Sequence, residues 1–598
     1  MDNTEISKIL NEVADILEIS AKGGSARLAE ATAKRASGGK GENQFRVGAY
    51  RRAAQVIEVL PQDINEIYRE GRLEEIPGVG KSLAQHIKDL IEKGGCREFE
   101  SLKKKIPAGL IELMKIEGLG PKRVKFLYQK FHVSSISSLK KLIASHKLLK
   151  EKGWGEKSEQ NILRGIQLYK KFSQRFLLGE VYFLAQSILG KLKKYPEIDQ
   201  AEVCGSLRRM KETIGDLDFL ATAKNPKKAI DFFCQLPEVK EIRAKGSTKA
   251  NVLLRRGLEA DLRVVKPESF GAALHYFTGS KSHNIAIRRL GLEGGLRINE
   301  YGIYKKGGNK LRRIGGRAEE EIFKAVGLPW IPPEIRENMG EIETASKNEL
   351  PKLIQPKDIR GDLHIHSNWS DGSESVLEIA QAAKKLGYQY IAITDHTPTI
   401  GIAHGLTTAR VLRQIEEIKK INKKVSGIRI LTGIEVDIHK DGFLDLPDKI
   451  LSKLEVVIGA VHTAFHQPRE EMTKRIIRAM RNPNIDIIAH PTGRKINQRE
   501  PFDLDLEEIM SEARKTGTIL EINSFWNRLD LNDINVRLAK EKGVKIAIST
   551  DAHNIIELGV IKFGVATARR GWIEKGEVVN TLPPTQLLAT LKKIKNKK

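Results

Sequence analysis

The hydrophobic rhythm of the chain changes twice. From residue 5 to 20, Ile6, Ile9, Leu10, Val13, Ile16 and Leu17 recur at the three-to-four spacing of an amphipathic helix. Gly23-Gly24-Ser25 and Gly38-Gly39-Lys40-Gly41 break that pattern, so residues 21–43 read as a mobile insertion with a short alanine-rich helix from Ala26 to Ala36. Phe45 to Leu60 resumes as a basic amphipathic helix. Residues 180–265 alternate helical and β-branched runs, which predicts an α+β domain. Residues 269–337 are mixed, and 338–357 have few apolar positions and read as an interdomain linker. Beyond them come seven short apolar runs, at 361–366, 390–395, 429–436, 455–461, 485–489, 518–523 and 545–550. Most are separated by helical segments, the pattern of parallel β/α units.

Composition narrows the partners. A chain of 598 residues exceeds one core, so two to four domains are expected. It is 40% hydrophobic and 30% charged, with no apolar run of membrane-spanning length and no signal-peptide pattern at Met1–Glu5. Cys96, Cys204 and Cys234 lie far apart, which predicts a reducing cytoplasm and no disulfide framework. The net charge of +26 is spread along the chain and predicts a folded basic surface for a polyanion; charge alone also suits a ribosome-associated protein.

Three constellations carry chemistry. Leu73–Lys81 and Leu113–Lys122 repeat one pattern: a helix end, a glycine-x-glycine turn (Gly78 and Gly80; Gly118 and Gly120) and a new helix beginning beside Lys81 or Lys122. Free backbone N–H groups and the positive end of a helix dipole then face an anion. The pattern resembles the helix-hairpin-helix element, which grips DNA phosphates without reading bases. One such turn is usually a helix cap, whereas two in a basic chain favour phosphate gripping. Gly153-Trp154-Gly155 reads as a degenerate third copy. Second, Gly205-Ser206-Leu207-Arg208-Arg209 and Gly215–Leu220 read as a hairpin-like pair of strands, with Asp216 and Asp218 on one face and Asp261 in a later β-rich run. Carboxylates on one rigid face suit divalent cations that handle phosphate oxygens. Third, nearly every run after the linker ends in a metal-ligand type: His364 and His366, His396, Glu435, His462, His490, and Asp551 with His553, while Asp371 follows the first run. A lone histidine there is ordinarily a core residue. Six of the chain's 14 at strand ends point instead to the mouth of a β/α barrel.

On G-S-x-R-R…G-D-x-D and Tyr276-Phe277-Thr278-Gly279-Ser280, the first half resembles the family X DNA polymerases, the group that includes DNA polymerase beta. On H-x-H…S-D-G, T-D-H and D-A-H, the second half resembles the PHP (polymerase and histidinol phosphatase) phosphoesterases. The two resemblances cover almost the whole chain. They imply a lyase-like helical domain over 1–100, a fingers-like helical domain over 101–175, a nucleotidyltransferase palm over 176–268, a thumb over 269–337, the linker 338–357, and a distorted (β/α)7 PHP barrel over 358–598. The resemblance assigns Asp216, Asp218 and Asp261 to two Mg²⁺ ions, with Asp261 nearest the primer. It assigns Gly205, Ser206 and Arg209 to the triphosphate, Tyr276, Phe277 and Gly279 to the space beneath the sugar, and Asn284 and Arg288 to the minor-groove edge of the nascent pair.

At the barrel it assigns His364, His366, Asp371, His396, Glu435, His462, His490, Asp551 and His553 to as many as three Mn²⁺ or Zn²⁺ ions, with Glu435 bridging. Arg494 is a candidate phosphate contact. The implied activity is gap-filling DNA synthesis in base excision repair on gapped or primer-template DNA with dNTPs, joined to 3′→5′ exonuclease, 3′-end cleaning or abasic-site cleavage, in a cytoplasmic, DNA-associated monomer. One departure stands out. Where the family carries its Schiff-base lysine this chain has His86, with Ser82 at a second lysine position, and imidazole forms no iminium with a sugar aldehyde. Lys81 and Lys88 are the substitutes at hand, and weak or absent lyase activity is expected. The competing readings are a histidinol-phosphatase-like enzyme, a DNA-binding scaffold with a dead polymerase, and a template-independent or RNA-directed nucleotidyltransferase.

Overall fold

The structure, a computed structural model, describes residues 3–20, 41–60, 64–93, 95–103, 107, 109–114, 116, 118–151, 153–172, 175–307, 310–399 and 403–595. The predicted insertion and its Ala26–Ala36 stretch lie outside the described residues up to position 40. The chain forms two compact units, residues 1–174 with 495–500, and residues 175–494 with 501–598. Among the described residues no helix is long and apolar enough to cross a membrane.

The described regular elements of residues 1–174 are helices, from Asn3–Ser20 to Glu156–Phe172. In Lys81–Lys93 the buried Leu83, Ala84, Ile87 and Leu90 form one stripe, as a helix of 3.6 residues per turn requires. A second core gathers Leu110, Leu113, Leu119, Val124, Leu127 and Trp154.

In the second unit the palm is a five-stranded sheet ordered Ile198–Val203, Asp216–Ala223, Glu259–Val264, Lys249–Leu254 and Val239–Lys245. The expected hairpin at 205–220 is not what forms. Gly205–Arg208 is a helical turn between Ile198–Val203 and the two-residue strand Thr213–Ile214. A buried leucine flanked by glycine and arginine suits one helical turn on a sheet edge, and Cys204 N donates to Asp218 O at 2.8 Å to dock it. The thumb packs the helices Phe270–Thr278 and Lys281–Glu293 with a three-stranded antiparallel sheet, Leu296–Asn299, Gly302–Gly307 and Lys310–Gly315.

All seven runs beyond residue 358 are parallel strands in sequential order, Gly361–Ile365, Tyr390–Ile393, Arg429–Asp437, Val456–Ala460, Ile487–Ile488, Ile519–Asn523 and Ile546–Ser549. A bridge between Ile365 and Ala552 brings the last strand's end back to the first and closes the barrel. Six of the strands are buried at every position and Arg429–Asp437 at all but its first, because helices cover the outside and side chains fill the inside.

Palm, thumb and barrel share one unit, and the segment predicted as a linker is part of their packing. Residues 338–357 carry the helix Glu341–Ser346, and Ile342, Ala345 and Leu353 join a core that includes Phe323 of the thumb and Trp572 of the barrel. Three of its few apolar positions go to that core, and Ile354 packs into the core of the barrel. On the palm side, a Cβ on Gly179 would sit 2.3 Å from the Trp526 ring, and Tyr182 meets Phe563 edge-on at 5.4 Å. Inside the thumb, Glu319 accepts from Arg208 at 2.6 and 3.0 Å, from Arg336 at 2.7 Å and from Trp330 Nε1 at 2.9 Å.

Glu319 is the buried anion that pairs with the fully buried guanidinium of Arg336 and the half-buried one of Arg208. Burial opposes its ionisation, but Arg336 and Arg208 hold its carboxyl well below the usual range. Glu319→Gln is expected to destabilise the second unit by about 3 kcal/mol, read by chemical denaturation with tryptophan fluorescence. A depressed carboxyl contributes fully above its unfolded value, so the loss should be constant between about pH 5 and 8 and shrink below about pH 4.

Candidate functional site: a palm carboxylate face and a barrel mouth

Asp218 and Asp261 are register partners on adjacent parallel strands, with Asp216 two residues earlier on the same face. Burial first, then Asp216 and Asp261, push the Asp218 carboxyl up to about 7. Asn251 Nδ2 donates to Asp261 Oδ1 at 2.8 Å and Lys249 Nζ lies 3.3 Å from Asp261 Oδ2, so the outer carboxylate is oriented from the neighbouring strand. Gly205 has φ +62°, and a Cβ there would fall 2.3 Å from Asp218 Oδ2. The helical turn therefore rests its missing side chain on the central carboxylate.

Ser206 is half-buried on that turn, and Arg209 follows it. Arg209 Nε donates to Glu337 Oε1 at 3.0 Å, its NH1 donates to Thr278 O, and Gly279, at φ +71°, leaves room for the guanidinium. Tyr276 and Phe277 meet edge-on at 5.1 Å; Arg263 stacks over Phe277 at 4.6 Å and Arg288 over Tyr276 at 6.0 Å. Asn284 is buried, its Nδ2 donating to Tyr276 O at 2.7 Å and its Oδ1 unpartnered.

At the barrel mouth the ligand-type residues predicted from strand ends converge. Glu435 is the hub, with imidazole nitrogens of His396, His490, His462, His364 and His366 at 2.7, 3.2, 3.4, 3.5 and 3.7 Å. His366 lies 3.1 Å from Asp551, and Asp371 lies 3.6 Å from His396 and 3.5 Å from His553. Three groups hold ligand atoms within 4.8 Å of one another: His366, Asp371, His396 and His553; His364, His366 and Asp551; and His396, Glu435 and His462. His490 stands outside these groups, its Nε2 3.2 Å from Glu435 and its ring 5.4 Å from that of His462.

Two details fit a divalent cation. His366 Nδ1 and His490 Nδ1 are buried without a hydrogen-bond partner, and His396 Nδ1 is close to Glu435 without hydrogen-bond alignment. His490 and Asp551 also hold backbone conformations of positive φ, at 29° and 57°, which non-glycine residues adopt uncommonly. Among the described residues the three close groups are all at the mouth; the palm carboxylates share a face without closing to that distance, as like charges do.

Several residues that hold this site escaped the strand-end pattern. Glu521, inside the strand Ile519–Asn523, accepts from His364 Nδ1 at 2.8 Å and from His490 N at 2.8 Å. Asp437 lies 3.3 Å from His462 Nδ1. Asp395, the acid of T-D-H, accepts from Ser367, Ser370 and Gln414 and so braces the loop that carries Asp371. An acid within an otherwise apolar run was the available signal. Arg528, half-buried, places Nε 3.7 Å from Asp551 and is a cation at the mouth. Arg494 is not free for phosphate: it is buried, donating to Glu212 of the palm and to Leu529 O, both at 2.7 Å.

The helix-hairpin turns have the expected backbone. Gly78, Gly118 and Gly153 lie at φ +79°, +82° and +86°, each three residues before an exposed or half-exposed helix start, while Val79, Leu119 and Trp154 are buried anchors. Gly80, Gly120, Lys81 and Lys122 are exposed. His86 is engaged, with Tyr50 Oη at 3.1 Å from Nδ1 and Glu98 at 3.0 Å from Nε2.

Two outcomes follow from this geometry. Glu521→Gln should weaken Mn²⁺ binding at the mouth about 10- to 100-fold, read by calorimetric titration, because the imidazole of His364 loses its orienting acceptor. Gly205→Ala should abolish primer extension in a gapped-DNA assay while leaving primer shortening intact, since both its φ and its contact with Asp218 exclude a side chain.

Comparison with known proteins agrees with this architecture. The model of the DNA polymerase beta thumb matches residues 273–337, that of the PHP domain residues 362–524, a helix-hairpin-helix domain residues 25–96, and a SAM-like helix-hairpin-helix tandem residues 110–167. The DNA polymerase/3′-5′ exonuclease PolX of Bacillus subtilis (strain 168) is 40% identical over 556 residues, covering 93% of this chain and 96% of that protein. A probable phosphatase of Thermoanaerobacter sp. (strain X514) is 36% identical over 232 residues, covering 37% of this chain and 89% of its own. The carboxylate face, the histidine-lined mouth and these end-to-end matches place the chain among the family X DNA polymerases that carry a C-terminal PHP domain.

Proposed function

We propose that this chain is a DNA-directed DNA polymerase that fills short gaps during repair, and that its barrel hydrolyses phosphodiesters at 3′ ends in the 3′→5′ direction. The observation that carries the reading is the in-register pair Asp218–Asp261, with Asp216 on the same face and Gly205 resting on Asp218. Asp216, Asp218 and Asp261 would hold Mg²⁺; the mouth residues His364, His366, Asp371, His396, Glu435, His462, His490, Asp551 and His553 would hold Mn²⁺ or Zn²⁺, whose mixed N/O preference they match. Divalent cations supply the charge neutralisation and the acidification of hydroxyl or water that both reactions need.

The remaining work falls to the chain's own groups. Ser206 and Arg209 bind the triphosphate of a dNTP. Tyr276, Phe277 and Gly279 lie beneath the sugar of the incoming nucleotide and disfavour a ribose 2′-hydroxyl. Asn284 Oδ1 and Arg288 face the minor-groove edge of the new pair. Backbone N–H groups at Gly78–Lys81 and Gly118–Lys122 hold gapped or primer-template DNA by its phosphates. Arg528, not Arg494, is the cation placed to bind phosphate at the mouth. A lysine-based lyase step is not supported, because His86 stands in the nucleophile's place and is tied to Tyr50 and Glu98. The chain works as a cytoplasmic, DNA-associated monomer.

A second reading rests on the match of the barrel alone to probable phosphatases: hydrolysis of a small phosphomonoester such as histidinol phosphate. The deciding experiment follows a labelled primer on one-nucleotide-gapped DNA with Mg²⁺ or Mn²⁺, with and without dNTPs. Asp216→Ala should lose extension and keep shortening, and His364→Ala should do the reverse. A wild-type protein that neither extends nor shortens the primer, yet hydrolyses histidinol phosphate, refutes the polymerase reading.

A further inference from the structure

The second arginine of the nucleotide turn is not an independent side chain. Arg209 Nε and Arg570 NH1 donate to the same oxygen, Glu337 Oε1, at 3.0 and 3.1 Å. Arg570 belongs to the barrel, as the last residue of the helix Ile561–Arg570, whose end is fixed by Gly571 lying against Val536. The same NH1 also donates to Arg209 O at 2.8 Å and Glu334 O at 3.2 Å. Its other edge, Nε and NH2, donates to Asp533 Oδ2 at 2.9 and 2.6 Å. All three nitrogens of this guanidinium are therefore engaged, and its side chain is only 5% exposed. The planar fork reads Glu337, the backbone of the nucleotide turn and a barrel carboxylate at once, which a lysine cannot do.

We propose that Arg570 is a positioning residue of the polymerase, sharing Glu337 with Arg209 so that Arg209 stays available to the triphosphate of the incoming nucleotide. The proposal rests on the assignment of Arg209 to the triphosphate. Its physical basis is competition. A triphosphate must win Arg209 from Glu337, an anion in a low-dielectric crevice where charge interactions are strong. Burial opposes ionisation of Glu337, yet Arg209, Arg570 and Lys211 keep its carboxyl below the usual range, so it competes as a full negative charge. Arg570 takes up part of that charge and pins the Arg209 carbonyl. Without it, Glu337 is left to Arg209 and the more distant Lys211, 3.8 Å away, and the turn loses its external support. The nuclease domain thereby acts on nucleotide binding without touching the nucleotide.

The test measures single-nucleotide incorporation and primer shortening with the full chain. Arg570→Gln should raise the KM for dNTP about tenfold, change kcat by less than about twofold, and leave the shortening rate unaltered. Arg570→Lys should recover only part of the loss. Glu337→Gln should lower the KM for dNTP, and Arg570→Gln added to it should raise that KM by much less than tenfold, leaving only the loss of its hydrogen bond to the Arg209 carbonyl. An unchanged KM in Arg570→Gln with shortening and thermal midpoint retained overturns the proposal, as does the same KM increase in the Glu337→Gln background. Should Arg570→Gln fail to fold, a Glu337→Gln enzyme whose KM is unchanged or raised overturns it equally. If Arg209→Ala leaves the KM unchanged, the assignment of the nucleotide site is what fails; if Arg209→Ala raises it and Arg570→Gln does not, only the role of Arg570 fails.

Discussion

Carboxylates gathered out of water repel one another, and this molecule meets that constraint in two different ways. In the palm, Asp216, Asp218 and Asp261 share one strand face with Lys249 and Asn251 beside the outer member, and the central carboxyl is driven up to about 7. The face is incomplete without external positive charge. At the barrel mouth Glu435 is instead enclosed by five imidazoles, with Asp371 and Asp551 beside them. Both arrays are anchored largely on the strands of one sheet or barrel, which holds their carboxylates and imidazoles together.

The second consequence is mechanical. Palm, thumb and barrel are joined by charges and rings that need each other: Glu319 between Arg208 and Arg336, Arg494 with Glu212, Arg570 with Glu337, and Trp526 against Gly179. Arg336, Arg494 and Arg570 are buried in these contacts, where an unpaired charge is costly and a paired one is directional. The polymerase face and the hydrolytic mouth are thus parts of one packed body. Residues 338–357, which read as a flexible tether, contribute Ile342, Ala345 and Leu353 to its core.

What was legible in the chain follows from how each element is buried. The barrel strands are covered on both faces, so they appear as continuous apolar runs, and a ligand at the end of each run stands out. Glu521 did not stand out because it lies within its run, and its partner His364 is far away in sequence. Gly205–Arg208 was misread as strand because a four-residue helical turn is too short to show a period; the positive φ of Gly205 and its contact with Asp218 are tertiary facts. Arg494 looked like a free cation because its partner, Glu212, is nearly three hundred residues away. Periodicity finds elements, and it cannot find the charges that join them.

The claim on which the rest depends is that these carboxylate and imidazole arrays exist to hold metal. Anomalous diffraction from crystals soaked in Mn²⁺ tests it most directly. The account predicts peaks at the barrel mouth within the sets His366–Asp371–His396–His553, His364–His366–Asp551 and His396–Glu435–His462. A mouth that stays free of metal at saturating Mn²⁺ and at saturating Zn²⁺, with the same histidines satisfied by direct hydrogen bonds to Glu435 and Asp551, would contradict it.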